Sequence, residues 1–259
     1  SSLNLASSYM YPVSDFIKTE DIIKNSLEYE SILHNFEFKK FRLYILYTFN
    51  NINSGKFKDA LISAQKAKEV FNKPDSFILS LENYLLAFSY FYLNDFESAK
   101  PYFDDLIRDM EIVFDAPDIL ILSYLNEMIL GNYSSEDLNY KSYYNIQSIN
   151  ENNFQKSLKD KDKISFNDIS KLFLNMDYSE LNDFRFGASK YIMNFYNMYN
   201  IYSLIGDKKL AIKHLKKAHD EIIRVKSTLK EKDKNNFISK NYFVKMVLLE
   251  WNKINNPNL

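Results

Sequence analysis

The segment Gly55-Lys56-Phe57-Lys58-Asp59-Ala60 returns as Asn94-Asp95-Phe96-Glu97-Ser98-Ala99 and again as Gly206-Asp207-Lys208-Lys209-Leu210-Ala211. Each copy follows an aromatic-rich stretch with apolar residues at helical spacing. Each also precedes a second such stretch, marked by Ala64 and Ala67, by Phe103 and Leu106, or by Leu215 and Ala218. A turn flanked on both sides by helix-period pattern is a helical hairpin. A hairpin that recurs predicts a stacked array, because one hairpin alone cannot bury its apolar face. Arrays of this kind present extended binding surfaces, so the repeat points to holding a partner rather than to catalysis.

Spacing extends the pattern. Gly131-Asn132-Tyr133-Ser134-Ser135-Glu136 has the same shape with Glu in place of the Ala. The step from Ala60 to Ala99 is 39 residues, from Ala99 to Glu136 is 37, and from Glu136 to Ala211 is 75, about twice the unit. This predicts one eroded unit around residues 150–183. Within it, residues 150–163 are polar and charged with little periodicity, and read as an exposed loop or a frayed helix.

Only 4 Gly and 5 Pro occur in 259 residues. Sheet-rich folds need Gly at many turns, so the scarcity favours long helices joined by short links. The expected fold is all-α, an α-solenoid of antiparallel helical hairpins that is irregular in the middle. Residues 1–13 read as a flexible lead and 14–255 as a single helical-repeat domain with a polar break near 150–163. Residues 256–259 read as a tail. The terminal helix is expected to begin at Asn235 or Ser239 and run to Ile254.

These hairpins resemble tetratricopeptide repeats, in which helices A and B pack antiparallel. Gly55, Phe57, Ala60 and Ala67 match the family pattern in the first unit, with Pro74 after helix B. Ala87, Tyr90, Phe96 and Ala99 match in the second, and Tyr202, Gly206, Ala211 and Ala218 in the last. The steps of 37 to 39 residues are longer than the family's unit of about 34. The resemblance implies that Ala60, Ala99 and Ala211 let helix B approach helix A closely. It also implies that the A helices line a concave groove for a protein or peptide.

Several function classes are set aside. Formal charge is −1, with 33 basic and 34 acidic residues, so no basic stripe calls for nucleic acid. There is no Cys, which removes thiolate metal sites and a cysteine nucleophile. No apolar run approaches the length of a membrane span. Of the three histidines, His34, His214 and His219, the last two are five apart, off the four-residue interval of a helical metal pair, and all three read as solvent-facing. Adjacent carboxylates such as Asp104-Asp105 diverge on a helix and cannot converge on one substrate. No phosphate-cradling Gly loop or nucleophile elbow occurs. The chain is therefore expected to be noncatalytic, without metal or cofactor.

The candidate site is aromatic and amide-rich. Asn83, Tyr84, Phe88 and Tyr92 on one A helix, and Tyr191, Asn194, Phe195, Asn197, Tyr199 and Tyr202 on another, present more ring surface than one packing stripe requires. Such a face would grip a peptide or a neighbouring helix by ring contacts and amide hydrogen bonds, unless most of the rings are inter-helix core. The polar opening at residues 1–8 resembles the tether that follows the lipid-bearing cysteine of bacterial lipoproteins. It implies an assembly adaptor held at the cell envelope through a removed N-terminal anchor. The alternatives are a peptide-sensing domain of a cytosolic regulator, and a carrier of a small molecule or lipid in an aromatic-lined cavity.

Overall fold

A computed structural model describes residues 15–30, 37–71, 74–108, 117–132, 170, 174 and 187–255. The polar break at 150–163, the lead at 1–13 and the tail at 256–259 lie outside the described residues. Among those described, the chain forms ten α-helices and no strand. They are α1 (Phe16–Glu30), α2 (Glu37–Ser54), α3 (Phe57–Lys68), α4 (Ser76–Tyr92), α5 (Phe96–Arg108), α6 (Pro117–Ile129), α7 (Gly187–Leu204), α8 (Lys208–Thr228), α9 (Glu231–Lys240) and α10 (Tyr242–Asn255).

The recurring segment is a left-handed helix terminus each time. Gly55, Asn94, Gly131 and Gly206 are the residues with positive φ among those described, at +77°, +62°, +76° and +80°. In the first three, two crossed backbone bonds close the preceding helix. Lys56 N–H donates to Asn51 O while Gly55 N–H donates to Ile52 O; Asp95 and Asn94 repeat this on Tyr90 and Phe91, and Asn132 and Gly131 on Glu127 and Met128. Carbonyls that the helix leaves unpaired are thereby satisfied, and the chain is aimed back along its own helix. The disguised copy at Gly131 is thus the same turn, although the stretch after Asn132 is not among the described residues. Asp207 then starts α8 by accepting from Leu210 N–H at 3.0 Å, and Asp75 starts α4 by accepting from Ile78 N–H at 2.8 Å.

Neighbouring helices pack in chain order: α1 on α2, α2 on α3, α3 on α4, α4 on α5, α5 on α6, and α7 on α8. Ala60, Ala64, Ala67, Ala87, Ala99, Ala211 and Ala218 are all buried at these crossings. Small side chains there let the backbones approach closely. Glu20 of α1 ties the first turn down, accepting from Lys56 Nζ at 2.7 Å and from the Tyr47 hydroxyl at 3.1 Å.

Two features depart from expectation. The terminal helix is split: α9 ends at Lys240, and Asn241 caps α10 by accepting from Val244 N–H at 3.2 Å. The C-terminal helices also do not stay at the end of a linear stack. Helix α7 packs on α6, and α10 packs on α7, α8 and, from the far end of the chain, on α2. In an open array each unit touches only its neighbours. Here the last helix reaches the first hairpins.

Candidate functional site

Helices α2, α4, α6 and α7 meet in an inner seam, built from residues that recur every three or four positions. From α2 come Phe49, Ile52 and Asn53; from α4, Tyr84, Phe88 and Tyr92; from α7, Lys190, Met193 and Asn197. Tyr84 packs its ring on Phe88 at 4.2 Å and on Phe49 at 5.7 Å, while its hydroxyl donates to Asp118 at the start of α6 at 2.5 Å. Asp118, 1% exposed, has Lys190 Nζ 3.8 Å from its other oxygen. At the other end of the seam the Asn197 amide donates to the Tyr92 hydroxyl at 3.0 Å. Burial pushes the Tyr92 phenol up, so it stays neutral and acts as hydrogen-bond acceptor and donor only.

The seam is closed at its Tyr92 end by an aromatic knot. Phe57, the first residue of α3, stacks on Tyr92 at 5.5 Å. Tyr242 meets Phe57 edge-on at 4.9 Å, and Phe243 meets Tyr92 edge-on at 5.3 Å. A Cβ on Gly55 would lie 3.1 Å from the Tyr242 ring, so the first turn and the start of α10 are in close contact.

The ten groove residues expected from sequence are therefore placed as follows. Asn83, Tyr84, Phe88, Asn194, Phe195, Asn197 and Tyr202 are buried, and Tyr92, Tyr191 and Tyr199 are half-buried. Tyr84, Phe88, Tyr92 and Asn197 come together in the seam. Tyr202 instead stacks on His214 of α8 at 5.4 Å, and Phe195 lies 6.2 Å from the same ring. Tyr199 reaches Glu250 of α10 at 3.1 Å. The seven buried residues thus meet the rest of the chain, not open solvent, while Tyr92, Tyr191 and Tyr199 stay partly exposed. Asp118, Lys190, Tyr242 and Phe243 were not singled out by the sequence reading, and Phe57 was read there as a repeat position rather than as part of the site. Only Tyr242-Phe243, an aromatic pair directly after a capping Asn, left a local trace.

One polar group stands out. Asn194 is 1% exposed, and neither its amide nitrogen nor its oxygen has a hydrogen-bond partner among the described residues. It lies one helical turn from Lys190 and nearly one from Asn197 on α7. Asn51 on α2 is likewise buried, with neither side-chain polar atom hydrogen-bonded among the described residues. Interiors pair nearly all such groups, so two bare carboxamides on inner helices need a reason.

The histidine expectation is corrected for His214. It is 0% exposed, its Nε2 lies 2.8 Å from Ser170 Oγ, and burial with help from Lys213 holds it down at about 3. A neutral imidazole on a buried hydroxyl, shut from solvent, has no route to substrate. His219 is half-buried and stacks on Trp251 at 4.7 Å, and His34 lies outside the described residues. Among the described residues no group of three or more His, Asp or Glu is placed to hold a metal ion, and no helix is long and apolar enough to cross a membrane. A hollow between α2, α4 and α7, lined by Phe49, Ile52, Asn53, Phe88, Lys190 and Met193, has room for about one water molecule. Comparison with family models, curated proteins and solved structures finds no match.

Proposed function

We propose that the chain is a noncatalytic helical-repeat protein of tetratricopeptide type, a solenoid whose inner helices α2, α4, α6 and α7 hold a protein or peptide and which serves as an adaptor within an assembly. The observation that carries this reading is the recurring left-handed turn at Gly55, Asn94, Gly131 and Gly206, around which neighbouring helices pack in chain order over buried Ala. Stacked helical hairpins of this kind present extended surfaces to partners, and the phenols that stay half-buried on the inner helices, Tyr92, Tyr191 and Tyr199, suit contact with a peptide or helix.

The test is Tyr199→Ala, at a half-buried position on α7. The variant keeps its helical circular dichroism and loses cross-linked partners captured from the native source and counted by mass spectrometry. Loss of helicity would make the ring core and remove the support for this reading. Retained capture by a folded variant would place the binding surface elsewhere.

A further inference from the structure

The near-neutral total charge conceals one basic face. Helix α8, KKLAIKHLKKAHDEIIRVKST, carries six Lys and one Arg against Asp220 and Glu221, a net of +5 in a chain whose formal charge is −1. The cations crowd toward its start. Residues 208–217 hold five of the lysines and no carboxylate, and Lys208, Lys209, Lys213 and Lys216 are exposed. Elsewhere on the surface basic side chains meet acids on their own helix, as in Lys24–Glu20, Arg108–Asp105, Lys234–Glu231 and Lys253–Glu250. On α8, Lys216 pairs with Asp220 and Arg224 with Glu221. Lys208, Lys209, Lys213 and Lys217 form no ion pair among the described residues.

Folding does not account for this placement. The start of a helix is its positive end, which favours acids there. Helices α2, α3, α5, α6 and α9 have an Asp or Glu in the first turn, whereas α8 opens on two Lys behind the Asp207 cap. The same face exposes aliphatic side chains. Ile212 is 42% and Ile223 52% exposed, three turns apart and so in line along one side of the helix. Lys208, Lys216 and Lys226 fall within about 40° of Ile212 around the axis, so ammonium groups flank the aliphatic line. Leu204, 58% exposed, ends α7 just before the turn into α8.

We infer that the outer side of α8 docks the protein on an anionic membrane surface. A cluster of roughly four to eight Lys or Arg on an amphipathic helix suits anionic headgroups, while Lys stems and aliphatic tips reach the acyl boundary. A nucleic acid would take the cations and leave Ile212 and Ile223 unused. A peptide held in register needs donors of fixed geometry, and α8 offers flexible ammonium arms instead. None of these residues lines the seam of α2, α4, α6 and α7, so the inference stands apart from the peptide-holding reading that Tyr199→Ala tests.

The probe is co-sedimentation of the full chain with phosphatidylcholine vesicles, alone or with about 30 mol% phosphatidylserine. The chain is expected to bind the anionic vesicles, to leave the neutral ones, and to be released as salt screens the headgroups. Each Lys near such a surface contributes about 1 kcal/mol, so Lys213→Gln weakens binding roughly fivefold, and Lys209→Gln with Lys213→Gln about 25-fold. Ile212→Gln, at unchanged charge, weakens it roughly threefold through lost apolar contact. Lys58→Gln, exposed on α3, makes the same charge change elsewhere and leaves binding unaltered. Should one variant lose its helical circular dichroism, the others decide. Equal binding to both kinds of vesicle, binding to neither, or equal weakening by Lys58→Gln and Lys213→Gln overturns the inference. Duplex DNA or polyglutamate bound as tightly as the anionic vesicles, with Ile212→Gln without effect, also overturns it, the face then being a general polyanion site.

Discussion

At Gly55 two demands coincide. Its φ of +77° disfavours any side chain, and Tyr242 stands where a Cβ would go, with its ring held between Phe57 and Phe243. Gly131 has the same backbone but open space around it. We expect Gly55→Ala to cost roughly 2 kcal/mol and Gly131→Ala about 1 kcal/mol, read by urea denaturation. Two buried titratable groups set opposite pH trends. Burial holds His214 at about 3 against 6.5 in the open chain. Between those values the unfolded chain binds the extra proton, so acidification destabilises the fold by about 1.4 kcal/mol per pH unit, and His214→Gln flattens that slope. Burial lifts Glu82 to about 7 from 4.5, with Lys68 opposing. There the folded chain holds the extra proton, so stability falls as pH rises from 4.5 to 7, and Glu82→Gln removes the loss. Denaturation midpoints at pH 4.5, 5.5, 6.5 and 7.5 for the three chains check both signs. Neither burial was legible in the sequence: a His among lysines and a Glu in an aromatic run look solvent-facing until neighbouring helices cover them.

Among the elements, the hairpins were the most legible part. Their turns need φ above zero, which Gly and Asn supply, and their crossings need small side chains, which Ala supplies, so both requirements are written locally. Ala99 is fully buried between α5 and its neighbours. Ala99→Leu is expected to destabilise by about 1–3 kcal/mol through overpacking, whereas Lys100→Leu, partly exposed, changes mainly the ion pairs to Glu127 and Asp104. Thermal unfolding followed at 222 nm ranks the two. Helix ends without such signals were less legible. The stretch 229–241 contains charged helix formers and no Gly or Pro, and its split into α9 and α10 falls at Asn241, whose side chain caps α10.

For the whole molecule, the consequential contact joins α10 to the first hairpins, at Gly55, Phe57 and Tyr92. Deleting residues 241–259 is expected to lower hydrogen-exchange protection in α2 and α3, about 190 residues away in sequence, because Phe57, Tyr92 and the Gly55 turn lose Tyr242 and Phe243. A strictly linear array would lose protection only beside the deletion. The helical class, the turns and the small-residue crossings could be read from the residues themselves, because each depends on atoms within a few positions of chain. The face that α4 and α7 present could not. Aromatic and amide residues on an amphipathic helix have the same pattern whether they line an open groove or meet a partner helix. What distinguishes the two is long-range packing: α2 and α6 meet Tyr84, α8 meets Phe195 and Tyr202, and α10 meets Tyr92 and Tyr199, through residues such as Phe49, Asp118, His214 and Phe243 that carry no sequence relation to the side chains they cover.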